Sequence, residues 1–378
     1  MATTSISITP QFGNNTVTAI NCGTSTPKLS GSVNISAFPN LQELRCINND
    51  ISGTIPTLPS TMRVLNCDNN KISGSIPSFA TTSPNIYFVS CSDNLITGTI
   101  PNLNLYLNYF AASNNQLTGT IPPLNGCPVL LLFSVQNNLL TGSIPSLNNN
   151  TELQYFFVGN NQLTGSVPSL DINTELLYFV VNQNQLTGNI PNLSFNTKIQ
   201  VVFLDDNQLE GNIPSLTNNV DLEFFRVNTN ANLTGNIPSL TTNVKLKNIW
   251  VFFTQCTGSI PNLDTNINLE NVNFMHNLLT GNIPNLSNCV RLNDFRCNDN
   301  SITGFTGGVP ASLELFYAQN NLLTQSAVDA ILAAFVAAGR NTGYLQLDGT
   351  GNASPTGGVN NANKVILEGR GWTVLVNP

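Results

Sequence analysis

Charge is scarce in this chain. Only 9% of its 378 residues are Asp, Glu, Lys or Arg, against about 25% in an ordinary globular protein. The 13 Lys and Arg residues form no cluster, which excludes an electrostatic nucleic-acid binder, because neutralising phosphates needs grouped cations. The net charge of −7 is modest and the hydrophobic fraction is 41%, which excludes a disordered acidic chain. No apolar run approaches the roughly 18 residues of a membrane helix, so no membrane insertion is expected. The opening residues MATTSISITPQFGNNTVTAINC lack the basic and apolar segments of a secretory signal peptide. There is one histidine, His276, and no C-x-x-C pair. A His-based metal site and a zinc pair are therefore not expected, nor is any cofactor. A Ser-His-Asp triad would rest on His276 alone, so the chain reads as a non-enzyme. The densest acidic group, Asp205-Asp206 with Glu210, could offer oxygens to calcium but reads as a solvated pair.

What fills the space is asparagine and a repeat. Asparagine occurs 61 times. Glycines recur from Gly31 through Gly53, Gly74 and Gly98 to Gly281 and Gly304, at steps of 21 to 24 residues. Most continue into Ile-Pro or Val-Pro, as in Gly142-Ser143-Ile144-Pro145. A fixed period in this range marks a solenoid. Upstream of each glycine stands a second phrase, such as Leu153-Gln154-Tyr155-Phe156-Phe157-Val158-Gly159-Asn160-Asn161-Gln162-Leu163. Its short alternating core reads as a strand with Phe156 and Val158 inward. Asn161 recurs as Asn49, Asn70, Asn94, Asn115, Asn138, Asn184, Asn207, Asn230, Asn277, Asn300 and Asn321, with Thr254 the one interruption. A buried Asn must have its donors and acceptor satisfied, so this row reads as a structural ladder bonded to the backbone at each corner. A row of hydroxyls, Thr97, Thr118, Thr141, Thr164 and onward, precedes the glycines. Regular threonine rows also occur in ice-binding solenoids. Glu210 interrupts this one, and the hydroxyl reads as part of the repeat.

The combined pattern LxxLxLxxNxLTGxIPxL, from about Leu41 to Leu323, resembles the plant-type leucine-rich repeat. The resemblance implies an α/β-type solenoid, mostly β: curved and right-handed, with a parallel sheet on its concave face. The expected organisation is an N-terminal cap and first coil over 1–40, about 13 coils over 41–324, and a C-terminal β-α-β cap over 325–378. Secreted plant members pair cysteines in their end caps. Here Cys46, Cys67, Cys91 and Cys297, with Cys22, fall on the inward strand position held elsewhere by Val158 or Leu204. Free cysteine behaves there as a small buried hydrophobe, and all eight thiols are expected to be reduced. Reduced thiols and the missing leader suit a reducing compartment and argue against a plant polygalacturonase inhibitor or receptor ectodomain.

After Thr324 the pattern changes. Ser326 to Phe335 reads as a helix, with Ser326 as N-cap, Asp329 near a capping box and Gly339 as terminator. Val328, Ile331, Leu332 and Phe335 form its apolar stripe. Strands are expected over 344–347 and 372–376, and a short helix over 363–368. The phrases AVDAILAAFVAAG, GTGNASPTG and LEGRGWTV resemble a terminal module of bacterial and bacteriophage leucine-rich repeat proteins. That resemblance implies a virion or microbial-surface setting more than a eukaryotic one.

The outward strand positions carry the functional expectation. The third and fifth positions of successive phrases place Tyr155, Phe157, Tyr178, Val180, Phe203, Phe224, Arg226 and Trp250 on the solvent face, with Phe252 following. Soluble chains rarely expose such a strip without a partner, and Tyr, Trp, Phe and Arg are interface anchors. Stacking between neighbouring strands is the alternative reading. The expected function is a non-enzymatic bacteriophage structural protein on the virion surface, giving a recognition, adhesion or assembly surface. Its expected partner is another virion protein or a host-surface glycan or protein, or a second copy in a homo-oligomer. The alternatives are an intracellular, cytoplasmic bacterial interaction scaffold and a secreted polysaccharide-binding or enzyme-inhibitor module.

Overall fold

The computed structural model describes residues 17–23, 28–79 and 82–378. Of the expected N-terminal cap, residues 1–16 and 24–27 lie outside the described residues. The chain divides into two compact units, Met1–Leu186 and Thr187–Pro378. Each is a leucine-rich repeat solenoid, mostly β, whose coils each give one short strand to a main parallel sheet, and several of which add a second short strand near the repeat glycine, as at Ser73–Gly74 and Glu210–Asn212.

In the first unit the strands Ala19–Asn21, Glu43–Arg45, Val64–Asn66, Phe88–Ser90, Tyr109–Ala111, Leu132–Ser134, Tyr155–Phe157 and Tyr178–Val180 pair in parallel in chain order. Three residues per strand follow from the period of two: the central residue points into the coil and its neighbours point out. The register therefore stacks like on like. Phe110, Phe133, Phe156 and Phe179 are all fully buried. Their rings form a column with centroids 5.6, 5.7 and 5.7 Å apart.

From Glu43–Arg45 onward each strand of this unit is followed, three residues on, by a residue in the left-handed region, one position before the ladder asparagine. In this unit these are Asn48, Asn69, Asp93, Asn114, Asn137, Asn160 and Gln183, with φ between 52° and 58°. Short polar side chains tolerate this conformation best. Several of them also bond coil to coil: Asn69 Nδ2 donates to Asn48 Oδ1 at 2.8 Å, and Asn160 Nδ2 to Asn137 Oδ1 at 2.8 Å. The ladder row then fixes the corner. Asn138 Nδ2 donates to Ala112 O, Val135 O and Gln136 O at 2.9, 3.0 and 3.3 Å, and its Oδ1 accepts from Leu117 N at 2.9 Å. A further asparagine column, unmarked in the repeat pattern, lies in the loops after the proline. Asn150 is fully buried, and its Nδ2 donates to Leu124 O and Cys127 O at 3.0 and 2.8 Å. Cys127 holds this loop position in the first unit and Cys289 the equivalent position in a coil of the second, which accounts for two thiols that the strand pattern left unplaced. The row of threonines folds back on the neighbouring coil, as where Thr118 Oγ1 donates to Gly98 O at 3.3 Å.

The second unit repeats the arrangement through strands Val201–Phe203, Phe224–Arg226, Asn248–Trp250, Asn271–Asn273, Asp294–Arg296, Leu315–Tyr317, Gly343–Gln346 and Trp372–Leu375. At the interrupted rung the Thr254 hydroxyl bonds the Asn277 side chain, which also accepts from Cys256 N at 3.1 Å. The ladder gains one rung that the repeat pattern did not reveal: Asn352 Nδ2 donates to Ala318 O and Leu347 O, both at 2.9 Å.

Helix α1 runs Gln325–Ala338 and helix α2 runs Ala362–Gly369. The N-cap of α1 is Thr324, not Ser326. Thr324 holds the extended backbone of a cap, with φ −68° and ψ 159°, and its hydroxyl accepts from Ala327 N at 3.2 Å. Asp329 makes no capping box. It holds the following loop, accepting from Thr356 N at 2.9 Å and Asn361 Nδ2 at 3.1 Å. Gly339 closes α1 at φ 79°. Phe335 of α1 packs edge-on to Phe316 and Trp372, with centroids 5.3 and 5.1 Å apart.

Candidate functional site

The outward strand residues of the first unit form an aromatic cluster. Tyr155 and Tyr178 face each other across adjacent strands with ring centroids 5.4 Å apart, and Phe157 lies 6.3 Å from Tyr155 and 6.1 Å from Tyr178. These three rings are half-buried, sharing area with one another. Val180 departs from expectation: it is only 8% exposed. It stands in register with Phe157, and its short branched side chain does not reach past that ring. Phe157 also borders a cleft toward Asp68, Ser90, Tyr109 and Ser134. There the Ser90 hydroxyl bonds both Asp68 oxygens, at 2.8 and 2.7 Å, and Ser92 N donates at 2.7 Å. Burial raises the Asp68 pKa, and these hydrogen bonds oppose the rise.

The second unit carries a different cluster. Phe203, Arg226 and Trp250 are register partners on three successive strands. The Arg226 guanidinium is sandwiched: its carbon lies 4.4 Å from the Phe203 centroid and 3.9 Å from that of Trp250. Such cation–π contacts strengthen as water is removed. Burial lowers the Arg226 pKa, with Asp205 acting against it. Arg226 Nε is buried without a hydrogen-bond partner. Phe224 lies beneath Lys247, whose Nζ is 5.7 Å from the ring and 2.6 Å from Glu223. Phe252 leans on Trp250 at 6.2 Å. Phe203, Phe224, Arg226, Trp250 and Phe252 are all half-buried.

Beyond Trp250 and Phe252 the face opens into a cleft walled by Asn271, Asn273, Asp294 and Arg296. Arg296 pairs with Asp294 at 2.7 Å and covers Tyr317 at 4.9 Å. The aromatic criterion passed over these polar residues, although they hold the same two outward positions of their phrases as Phe224 and Arg226.

The remaining chemical candidates have structural surroundings. His276 is in the left-handed conformation at φ 51°. Its ring stacks on Phe253 at 4.4 Å, and Nε2 lies 3.4 Å from Asp299. Asp205 is buried rather than solvated, while Asp206 is the left-handed residue of its coil at φ 53°. Among the described residues, no three His, Cys, Asp or Glu side chains are grouped to hold a metal ion.

No family model and no curated protein matches this sequence. Solved structures do. A TDR receptor is similar, at 26% identity over 88% of this chain and 59% of that one, with a TM-score of 0.77. The PEPR1–AtPEP1 complex gives 26% identity over 86% and 51%, TM-score 0.73. The leucine-rich repeat ectodomain of the Arabidopsis receptor kinase HAESA, in complex with an extended IDA peptide hormone, gives 26% over 79% and 53%, TM-score 0.71. The chain thus spans a little over half the length of each.

This likeness overturns the expectation of a bacteriophage structural protein on a virion surface, and with it the cytoplasmic alternative. The virion reading rested on about fifty C-terminal residues. Those residues fold into helices and strands that cap a stack, as any solenoid end requires, so they carry no mark of source. The case made against a receptor ectodomain loses force as well. A buried thiol on an inward rung is a packing choice, and says nothing about where the coils are used.

Proposed function

We propose that this leucine-rich repeat chain is a non-catalytic recognition module whose sheet faces bind a peptide, free or as a segment of a larger protein. The observation that carries this reading is the second-unit cluster, where Arg226 sits between Phe203 and Trp250 with Phe224 and Phe252 beside it. Half-buried aromatic rings around one preorganised guanidinium are the composition of an interface anchor, and holding them on strands reduces the entropy lost in ordering them on binding. The Tyr155, Phe157 and Tyr178 cluster offers the same chemistry in the first unit. The HAESA ectodomain's complex with a peptide hormone supports a peptide as the ligand class.

A random peptide library selected on the immobilised protein tests this. Enriched peptides are expected to weaken by roughly ten-fold or more on Trp250→Ala or Arg226→Ala, the range of an interface anchor. Undiminished binding by a folded variant lacking the eight residues Tyr155, Phe157, Tyr178, Phe203, Phe224, Arg226, Trp250 and Phe252 would move the site elsewhere. A concentration-dependent rise in mass without any peptide would favour self-association.

A further inference from the structure

We propose that Cys22 and Cys46 form a redox site, which a small disulfide oxidant closes to an intramolecular disulfide between the first two described rungs. Cys22, Cys46, Cys67 and Cys91 directly follow strands paired in register. Each amide donates to the next coil: Cys22 N to Arg45 O, Cys46 N to Asn66 O, Cys67 N to Ser90 O and Cys91 N to Ala111 O, at 2.8 to 2.9 Å. Adjacent strands lie about 4.8 Å apart, within the roughly 4.4–6.8 Å window of Cα separation that a disulfide spans. Backbone spacing alone would let any neighbouring pair react.

Side-chain direction selects one pair. Cys67 Sγ and Cys91 Sγ turn to backbone carbonyls, Ser90 O and Ala111 O, each at 3.6 Å. Cys22 Sγ and Cys46 Sγ instead face each other at 2.7 Å. Access selects the same pair. Cys22 is half-buried while the other seven cysteines are buried, so an oxidant reaches Cys22 first. The hydrogen bond from Cys46 lowers the Cys22 pKa, and that bond together with burial raises the Cys46 pKa. Cys22 is therefore the attacking thiolate and Cys46 the resolving thiol.

The balance is that of thiol–disulfide exchange. The Cys22 thiolate attacks one sulfur of the small disulfide, whose S–S bond breaks and expels one thiolate. Cys46 then gives its proton to solvent, and its sulfur attacks Cys22 Sγ, expelling the second thiolate. Both leaving thiolates take up protons. The two protein thiols are oxidised and the small disulfide is reduced to two thiols. The new bond closes a loop between residues 22 and 46, which restricts the unfolded chain and ties the first described strand to its neighbour.

The test incubates the folded full chain with glutathione disulfide, blocks remaining thiols after denaturation, and measures intact mass and cross-linked peptides. The expected product has lost two hydrogens, links Cys22 to Cys46, and carries the blocking group on the other cysteines. Its thermal midpoint exceeds that of the reduced protein. A folded Cys22→Ser variant loses both the link and the shift. Eight blocked thiols in the wild-type chain, a product arrested as the mixed disulfide at Cys22, or a bond between Cys46 and Cys67 would each overturn the proposal.

Discussion

Replacing Asn161 with Leu isolates what one ladder rung contributes. Asn161 Nδ2 donates to Val135 O, Val158 O and Gly159 O at 3.0, 3.1 and 3.2 Å, and Oδ1 accepts from Leu140 N at 3.0 Å. Four hydrogen bonds disappear, but their loss is unequal. Val135 O keeps Asn138 Nδ2 at 3.0 Å, Val158 O keeps Asn184 Nδ2 at 3.1 Å, and Gly159 O keeps Asn137 N at 3.0 Å. Leu140 N has no second acceptor among the described residues, and Leu140 is fully buried. One orphaned buried donor costs about 1–3 kcal/mol. The expected destabilisation is therefore about 1–3 kcal/mol, and not a multiple of four such bonds. Repeat arrays can unfold non-cooperatively, so urea unfolding is best paired with amide exchange at Leu140, whose protection should fall most. Asn161→Asp restores an acceptor for Leu140 N but turns a carboxylate toward three carbonyls, and is expected to be no more stable than Asn161→Leu. An Asn161→Leu protein within about 0.5 kcal/mol of wild type, the range of an ordinary surface change, with Leu140 protection intact, would refute the corner argument.

Other expectations follow from single contacts. Trp372 is 4% exposed, packs on Phe335 and donates from Nε1 to Arg340 O at 3.0 Å; Trp372→Ala should cost about 3–5 kcal/mol by calorimetry or urea unfolding, and a neutral result would remove the cap from the stability argument. Gly142 has φ 75°, and a Cβ there would stand 2.7 Å from Thr120 Cγ2; Gly142→Ala should therefore lose about 1–2 kcal/mol, and a stabilised variant would contradict the left-handed turn. Burial pushes the Cys127 and Cys289 thiols up to about 11. In the folded protein at pH 8 a thiol reagent should modify Cys22 first and leave these two unreacted until the pH nears that value. Early labelling of Cys127 or Cys289 at pH 8 would show that their coils open.

The repeat was legible because its period is written in residues that are seldom replaced, Thr254 being the one exception in the asparagine row. Glycine marks the left-handed position before Ile-Pro, as at Gly142, and the ladder asparagine marks the corner, as at Asn161. The strand core was legible from the alternation around Phe156. The left-handed residue ahead of the ladder was not, because its identity varies from Asn48 to Gln183, Phe253 and His276 while only the backbone angle is shared. Nor was the loop column, where Asn150 and Cys127 take one position for different reasons. At the candidate site, alternation correctly placed Tyr155, Tyr178, Arg226 and Trp250 outward. It could not rank side-chain reach, so Val180 was counted as surface although Phe157 stands beside it. It also could not foresee that Arg226 would lie between two rings, because the repeat sets which residues are neighbours but not the side-chain rotamer that lays the guanidinium between Phe203 and Trp250. The terminal helix was placed correctly in outline. Its cap was misplaced because Thr324 ends a repeat phrase and begins a helix at the same residue.

The most direct test of the recognition reading is a photo-cross-link from a peptide enriched on the protein, with a light-activated residue at successive positions and the attachment points read by mass spectrometry. The account predicts attachment to the outward strand faces, at or beside Phe203, Arg226, Trp250 and Phe252 or Tyr155, Phe157 and Tyr178, with Arg226→Ala reducing the yield. Attachment confined to the loops after the proline, such as those around Asn150 or Asn219, or to helices α1 and α2, with yield unchanged by Arg226→Ala, would contradict it.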